Sequence, residues 1–178
     1  MTLLNIGQPI GGIIQIAYTV ADIEAVIRSY AVDLKLGPWF LRGPLQAKKP
    51  VYRGKAQTLN LSIAIAYSGH MMIELIQQHD DQPSVYREII EKQGHGFHHW
   101  GVASQRFDEE VEEYKARGFE LIFTDETPVS TRVAYFDAHR GWPGLIELIE
   151  INRASELRYT KMYSETLVWD GKDPVRRV

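Results

Sequence analysis

Gln15-Ile16-Ala17-Tyr18-Thr19-Val20 and His99-Trp100-Gly101-Val102 each open a unit, and Ile73-Glu74-Leu75-Ile76 and Ile146-Glu147-Leu148-Ile149 close them. The second half of the chain thus repeats the first. The openings are offset by 99 − 15 = 84 and the closings by 147 − 74 = 73. The second unit is therefore shorter by a loop of about a dozen residues, an ordinary difference between duplicated units. Two polar starts and two glutamate ends make four candidate ligands for one ion.

Working outward, Ile13 to Val20 reads as a strand. Asp22 caps a helix whose Ile23, Val26, Ile27 and Tyr30 recur at helical spacing until Gly37. Trp39-Phe40-Leu41 is a short strand, Thr58 to Tyr67 alternates along its length, and Ser68-Gly69 turns the chain into Met71 to Gln77. The first unit is βαβββ, about 11–79. A helix from Pro83 to Gln93 connects it to the second, about 95–151. There a strand from Phe97 to Ser104 and a helix from Phe107 to Arg117 precede strands near Glu120, at Arg132 to Asp137 and at Leu145 to Ile151. Residues 1–151 form the tandem unit and 152–178 a C-terminal helix, Ala154 to Thr166, followed by a polar tail docked at most by Trp169.

The 178 residues are 44% hydrophobic and 24% charged, enough for one good-sized shared core. A net charge of −3 supplies no global basic field, so a small molecule is expected as the partner rather than nucleic acid. With no cysteine, any metal must be held by nitrogen and oxygen. The amino terminus lacks a basic region followed by an apolar run, and Leu61 to Tyr67 falls far short of the roughly 20 residues that span a bilayer. A cytoplasmic protein with no membrane segment is expected.

Alternation places the four candidates. Ile14, Ile16, Tyr18 and Val20 form the heavier apolar face of the first strand and leave Gln15, Ala17 and Thr19 opposite. Glu74 opposes Ile73 and Leu75, His99 opposes Trp100, and Glu147 opposes Ile146 and Leu148. All four fall on faces that need not cover a helix. In a regular strand His98 would point away from His99 and pack, and Glu150 would be a surface carboxylate.

This arrangement resembles the vicinal-oxygen-chelate superfamily, the glyoxalase and methylmalonyl-CoA epimerase group, over roughly residues 11 to 151. The stretch Pro83-Ser84-Val85-Tyr86-Arg87-Glu88-Ile89-Ile90-Glu91-Lys92 leading to Gly96-Phe97-His98-His99 looks especially like the epimerase branch. The resemblance implies an α+β fold in which two paired βαβββ modules form an open, partly closed barrel around a cavity, commonly in a homodimer. It also implies one divalent metal per chain held by Gln15, Glu74, His99 and Glu147. Gln15 stands where the family usually has His. One nitrogen, one amide oxygen and two carboxylates suit Mg²⁺, Mn²⁺ or Co²⁺ better than a structural zinc, with Ni, Zn and Fe also within the family's range.

The implied activity is that of a metal-dependent lyase or isomerase. It would act on a small, anionic carbonyl compound through an enolate that the metal stabilises, with Glu147 as ligand and proton carrier. From Leu41 to Ile73 there is no Asp or Glu, so the second base of a two-base epimerase is missing where the family places it, and methylmalonyl-CoA is not the expected substrate. The same segment carries Arg42, Lys48, Lys49, Arg53 and Lys55, of which Arg53 is the expected counter-charge for the substrate. Asn60 and Ser62, with small Ala64 and Ala66, are expected to face the cavity, and Trp39, Tyr67 and Tyr135 to form an aromatic wall. Two alternatives stand beside this reading. A ring-cleaving dioxygenase of the superfamily would want two His and one carboxylate; a bleomycin-resistance type of binding protein would need no metal set.

Overall fold

The computed structural model describes residues 2–127, 131–139 and 141–178. Its elements run β1 (Ile13–Thr19), α1 (Ile23–Asp33), β2 (Trp39–Gln46), β3 (Val51–Tyr52), β4 (Lys55–Ala56), β5 (Asn60–Ser68) and β6 (Met71–Gln78). After the connecting α2 (Val85–Gln93) come β7 (Gly96–Ser104), α3 (Phe107–Ala116), β8 (Glu120–Glu126), β9 (Arg132–Asp137) and β10 (Leu145–Glu150). The chain closes with α4 (Arg153–Leu167) and β11 (Val175–Arg177). Local chemistry starts the helices as expected: the Asp22 side chain accepts from the Ala25 N–H, and Ser84 accepts from the Arg87 N–H.

Among the described residues the strands form one mixed sheet in the order β11-β2-β5-β6-β1-β7-β10-β9-β8-β3-β4. The opening strands of the two repeats, β1 and β7, lie side by side and antiparallel, and each pairs in parallel with the closing strand of its own repeat, β6 or β10. The sheet curls around a cavity without closing, which is the open barrel expected from the duplicated pattern. Its four central strands carry Glu74, Gln15, His99 and Glu147, one each.

Two connections depart from expectation. The hairpin β3–β4 crosses from the first repeat to the edge of the second, where Val51 pairs with Thr124 and Tyr52 with Phe123. The tail is not docked by Trp169 alone, because Val175, Arg176 and Arg177 extend the sheet in parallel beside Trp39, Phe40 and Leu41. Both additions cover backbone edges that would otherwise be open.

On the convex side, α1 buries Ile23 and Ile27 against Ala64, Ala66 and Leu75, while α3 packs near Phe136, Ile146 and Leu148. The facing of β5 is therefore the reverse of the expected one. Its alanines lie beneath α1, where a small side chain lets a helix approach the sheet, and Leu61, Ile63 and Ile65 line the cavity. Alternation separates two faces but does not say which is concave. Inside the curl an apolar cluster containing Val85 and Tyr86 of α2 fills one part, and another containing Tyr159 and Met162 of α4 fills a second.

Candidate metal centre

The polar residues of the four central strands meet in the cavity. Glu74, His99 and Glu147 are buried, and one ligand atom from each lies within 4.8 Å of the others. Donors on opposite sides of one ion at bond lengths of roughly 2.0–2.6 Å stand about 4–5 Å apart, so the three side chains are close enough together to hold a divalent metal. His99 Nε2 lies 3.0 Å from Glu147 Oε2 and 3.5 Å from Glu74 Oε2. Gln15 joins them: its Nε2 donates to Glu74 Oε2 at 3.0 Å and to Glu147 Oε2 at 3.2 Å, and sits 3.2 Å from His99 Nε2. An amide nitrogen has two hydrogens, so three inward lone pairs compete for them. A cation would satisfy all three at once. Rotation of the Gln15 amide would turn its oxygen inward as a fourth donor.

Room for Gln15 comes from its cross-strand partner. A Cβ at Gly101 would stand 2.8 Å from Gln15 Cβ and 2.8 Å from Ile149 Cδ1, closer than real side chains approach. Only glycine fits opposite Gln15 here.

His98 is not on the far side of the strand. Ala17 pairs with His99 and Tyr18 with Phe97, which leaves His98 as the extra residue of a β-bulge. The bulge puts its ring beneath α2, fully buried, with Nε2 3.3 Å from the Val85 carbonyl and Nδ1 2.8 Å from His99 Nδ1. Burial, then the neighbouring His99, pushes the His98 pKa down to about 3, so the ring is neutral. A carbonyl can only accept, so His98 Nε2–H donates to Val85 and His98 Nδ1 carries a lone pair. His99 Nδ1–H therefore donates to His98, and His99 Nε2 is left bare toward the two carboxylates.

Electrostatics push in the same direction. Burial and then the Glu147 carboxylate raise the Glu74 pKa, with His99, Arg42 and Arg158 opposing. Two carboxylates in one buried pocket resist double ionisation, and a dication would relieve that cost.

The cavity around the cluster measures about 70 Å³ and is lined by Arg42, Tyr86, Asp125, Tyr135, Arg158 and Tyr159, among others. Of the expected substrate contacts, Tyr135 is there. Arg53 is not: it pairs with Glu88 at 2.9 Å and Glu120 at 2.8 Å on the outside of the molecule. Asn60 and Ser62 also lie off the lining, with the Asn60 N–H donating to Asp80 Oδ2 and Ser62 Oγ 2.8 Å from His79 Nε2. Trp39 packs in the layer under α1, its indole donating to the Leu36 carbonyl, and the Tyr67 hydroxyl donates to the Tyr159 carbonyl in the α4 layer. Glu150 binds Arg132 at 2.7 Å as an outer carboxylate, as expected.

Arg42, Arg158 and Asp125 line the cavity but were not singled out from the sequence. Arg42 lies beyond the expected end of its strand, because β2 runs on to Gln46 through an irregularity between Arg42 and Leu45. Arg158 comes from α4, outside the repeat. Asp125 comes from β8 of the second repeat, and burial raises its pKa above the usual carboxylate value. The acid-free interval of the first repeat therefore does not deprive the cavity of a carboxyl separate from the metal cluster.

Residues 14–135 match the Glyoxalase/Bleomycin resistance protein/Dioxygenase superfamily, and the chain belongs to it. Solved structures agree in fold. The hypothetical protein BH1468 from Bacillus halodurans C-125 is 22% identical over 80% of this chain and 95% of its own, with a TM-score of 0.58. A methylmalonyl-CoA epimerase from Mycobacterium tuberculosis is 16% identical over 83% and 93%, with a TM-score of 0.57. A methylmalonyl-CoA epimerase in complex with methylmalonyl-CoA and NH4+ is 13% identical over 82% and 98%, with a TM-score of 0.55. No curated protein matches the sequence closely enough to mark a relative. Among the described residues no helix is long and apolar enough to cross a membrane.

Proposed function

We propose that this protein is a metal-dependent isomerase that moves a proton on the carbon beside a carbonyl of a small anionic substrate. The observation that carries this reading is the buried Glu74–His99–Glu147 group, assembled from both repeats with its lone pairs converging. Glu74, His99, Glu147 and, after amide rotation, Gln15 would hold one divalent ion. Such an ion acts as a Lewis acid that withdraws charge from a carbonyl oxygen and so acidifies the adjacent C–H.

The chain's own residues supply the rest. Of the carboxyls lining the cavity, which also include Glu74 and Glu126, Glu147 and Asp125 are assigned to the proton transfers, one taking the proton from carbon while the other returns a proton. The Asp125 carboxyl, raised by burial, holds a proton more readily than an exposed carboxylate. Arg42 and Arg158 offer the anion site that Arg53 was expected to provide. Tyr86 and Tyr135, with hydroxyls 3.4 Å apart, wall off water. Likeness in fold to the epimerases favours isomerisation over lyase chemistry. One histidine with two carboxylates does not match a two-histidine dioxygenase set.

The test is solvent-deuterium exchange at the α-carbon of a panel of carbonyl acids, followed by NMR, with the protein stripped of metal and then reloaded with Mn²⁺. Exchange should require the ion and fall by about 10²–10⁴ in Glu147→Gln. Asp125→Asn should slow inversion of configuration more than exchange. Undiminished exchange by the metal-free protein would sink the proposal.

A further inference from the structure

Next to the metal cavity, β2, α4 and β11 enclose a groove of about 710 Å³. Phe40, Leu45, Met162 and Val178 form its apolar part, and the lining side chains carry five cations, Arg42, Arg158, Lys161, Arg176 and Arg177, and one acid, Glu165. The α4 and β11 walls lie beyond residue 135, where the superfamily match ends. The hollow is built by the helix and strand that follow the second repeat, set against β2 of the first.

Most basic side chains of this acidic protein stand beside carboxylates, and within the groove Arg177 does so, 2.6 Å from Glu24. Arg42, Arg158, Lys161 and Arg176 have no carboxylate within ion-pair distance among the described residues. Arg176 donates only to the Asp173 backbone carbonyl, which cannot neutralise it. The Arg42 Nε is buried with no hydrogen-bond partner. Four like charges around one hollow, one of them partly desolvated, carry a cost that a multiply charged anion offsets.

Size assigns the two hollows different tasks. The metal cavity, about 70 Å³, admits only the reacting end of a substrate, whereas the groove is in the roughly 300–1,000 Å³ range of small-molecule sites. Arg42, Leu45 and Arg158 line both, so one molecule can occupy both. A lone carboxylate would be satisfied by Arg42 and Arg158 and would leave Lys161 and Arg176 unpaired.

We infer that the groove of β2, α4 and β11 binds a polyanionic, phosphate-bearing handle on the substrate whose carbonyl end enters the Glu74–His99–Glu147 cavity. The substrate's second end rests on the function proposed above; the anion site does not. Calorimetric titration of the metal-free, chelator-free protein with inorganic pyrophosphate tests it directly. Saturable binding of one pyrophosphate per chain is expected, weakened by higher NaCl and by at least about tenfold in Arg158→Ala and in Lys161→Ala/Arg176→Ala. Lys161 is exposed and Arg176 half-buried, so the double variant should keep its fold, checked by circular dichroism. Glu147→Gln should weaken Mn²⁺ binding and leave pyrophosphate binding unchanged, which separates failure of the metal reading from failure of this one. Absence of saturable heat, an unchanged affinity in the double variant, or acetate binding as tightly as pyrophosphate would each overturn the inference.

Discussion

At the scale of single residues, His98 decides how His99 can act without itself reaching the cavity. Its Nε2–H is committed to the Val85 carbonyl, so its Nδ1 must accept, and His99 must present a bare Nε2 to the cavity. Groups that fix the tautomer of a metal-binding imidazole typically contribute 10–100-fold to affinity. His98→Phe, which keeps an aromatic ring but removes the acceptor, is expected to weaken Mn²⁺ binding by about that factor while the protein stays folded. His98→Asn can place an amide oxygen near the lost Nδ1 and should recover part of the loss. Titration calorimetry of the two variants checks this; equal affinities in wild type and His98→Phe would remove His98 from any positioning role.

At the scale of elements, the site depends on irregularity in two neighbouring strands. β7 carries the bulge at His98, and the β1–β7 register shifts again between Ile13 and Gln15, bringing Gln15 opposite Gly101. The missing side chain of Gly101 is what lets Gln15 and Ile149 share that space. Gly101→Ala is therefore expected to destabilise the fold by about 1–3 kcal/mol, the usual cost of overpacking a core. It should also weaken metal binding, because Ile149 Cδ1 can swing aside but Gln15 Cβ can retreat only by moving its strand, which displaces the Gln15 amide. Chemical denaturation with a parallel Mn²⁺ titration measures both. A variant as stable as wild type with unchanged affinity would show that the close approach is relieved elsewhere.

At the scale of the whole molecule, curling the sheet puts two glutamates from distant repeats into one buried pocket, and this ties stability to pH. Burial and Glu147 raise Glu74 from 4.5 to about 7, so the folded metal-free protein holds that proton more tightly than the unfolded chain. Stability from this group is complete below the unfolded value of 4.5 and is lost as pH rises toward the folded value. A tenfold difference in proton affinity between the folded and unfolded states is worth about 1.4 kcal/mol. Buried His98, lowered from 6.5 to about 3, acts in the opposite sense below its unfolded value, so the comparison belongs above it: the metal-free protein should melt at a lower temperature at about pH 8.5 than at about pH 6.5. Saturating Mn²⁺ should reverse that slope, since it binds the deprotonated carboxylates of the folded state. Thermal melts at the two pH values, with and without the ion, test the sign. A metal-free protein that melts higher at the upper pH would mean that this carboxylate pair does not govern the pH dependence.

The sequence by itself determined the duplicated βαβββ order and the strand faces that carry Gln15, Glu74, His99 and Glu147. These follow from local periodicity and from the repetition of a polar opening and a glutamate close, both written in neighbouring residues. The tertiary structure alone decided which face of β5 is concave, because two faces of an alternating strand differ only in what packs on them. It also decided the placing of His98, since a bulge is a property of register between strands and not of one strand. Arg53 and Arg42 are both basic residues of one segment. Only the crossing of the β3–β4 hairpin to β8 sends Arg53 outward to Glu88 and Glu120, while the continuation of β2 keeps Arg42 in the cavity. Asp125 and Arg158 reach the same cavity from β8 and α4 because the curl closes distances that sequence separation conceals.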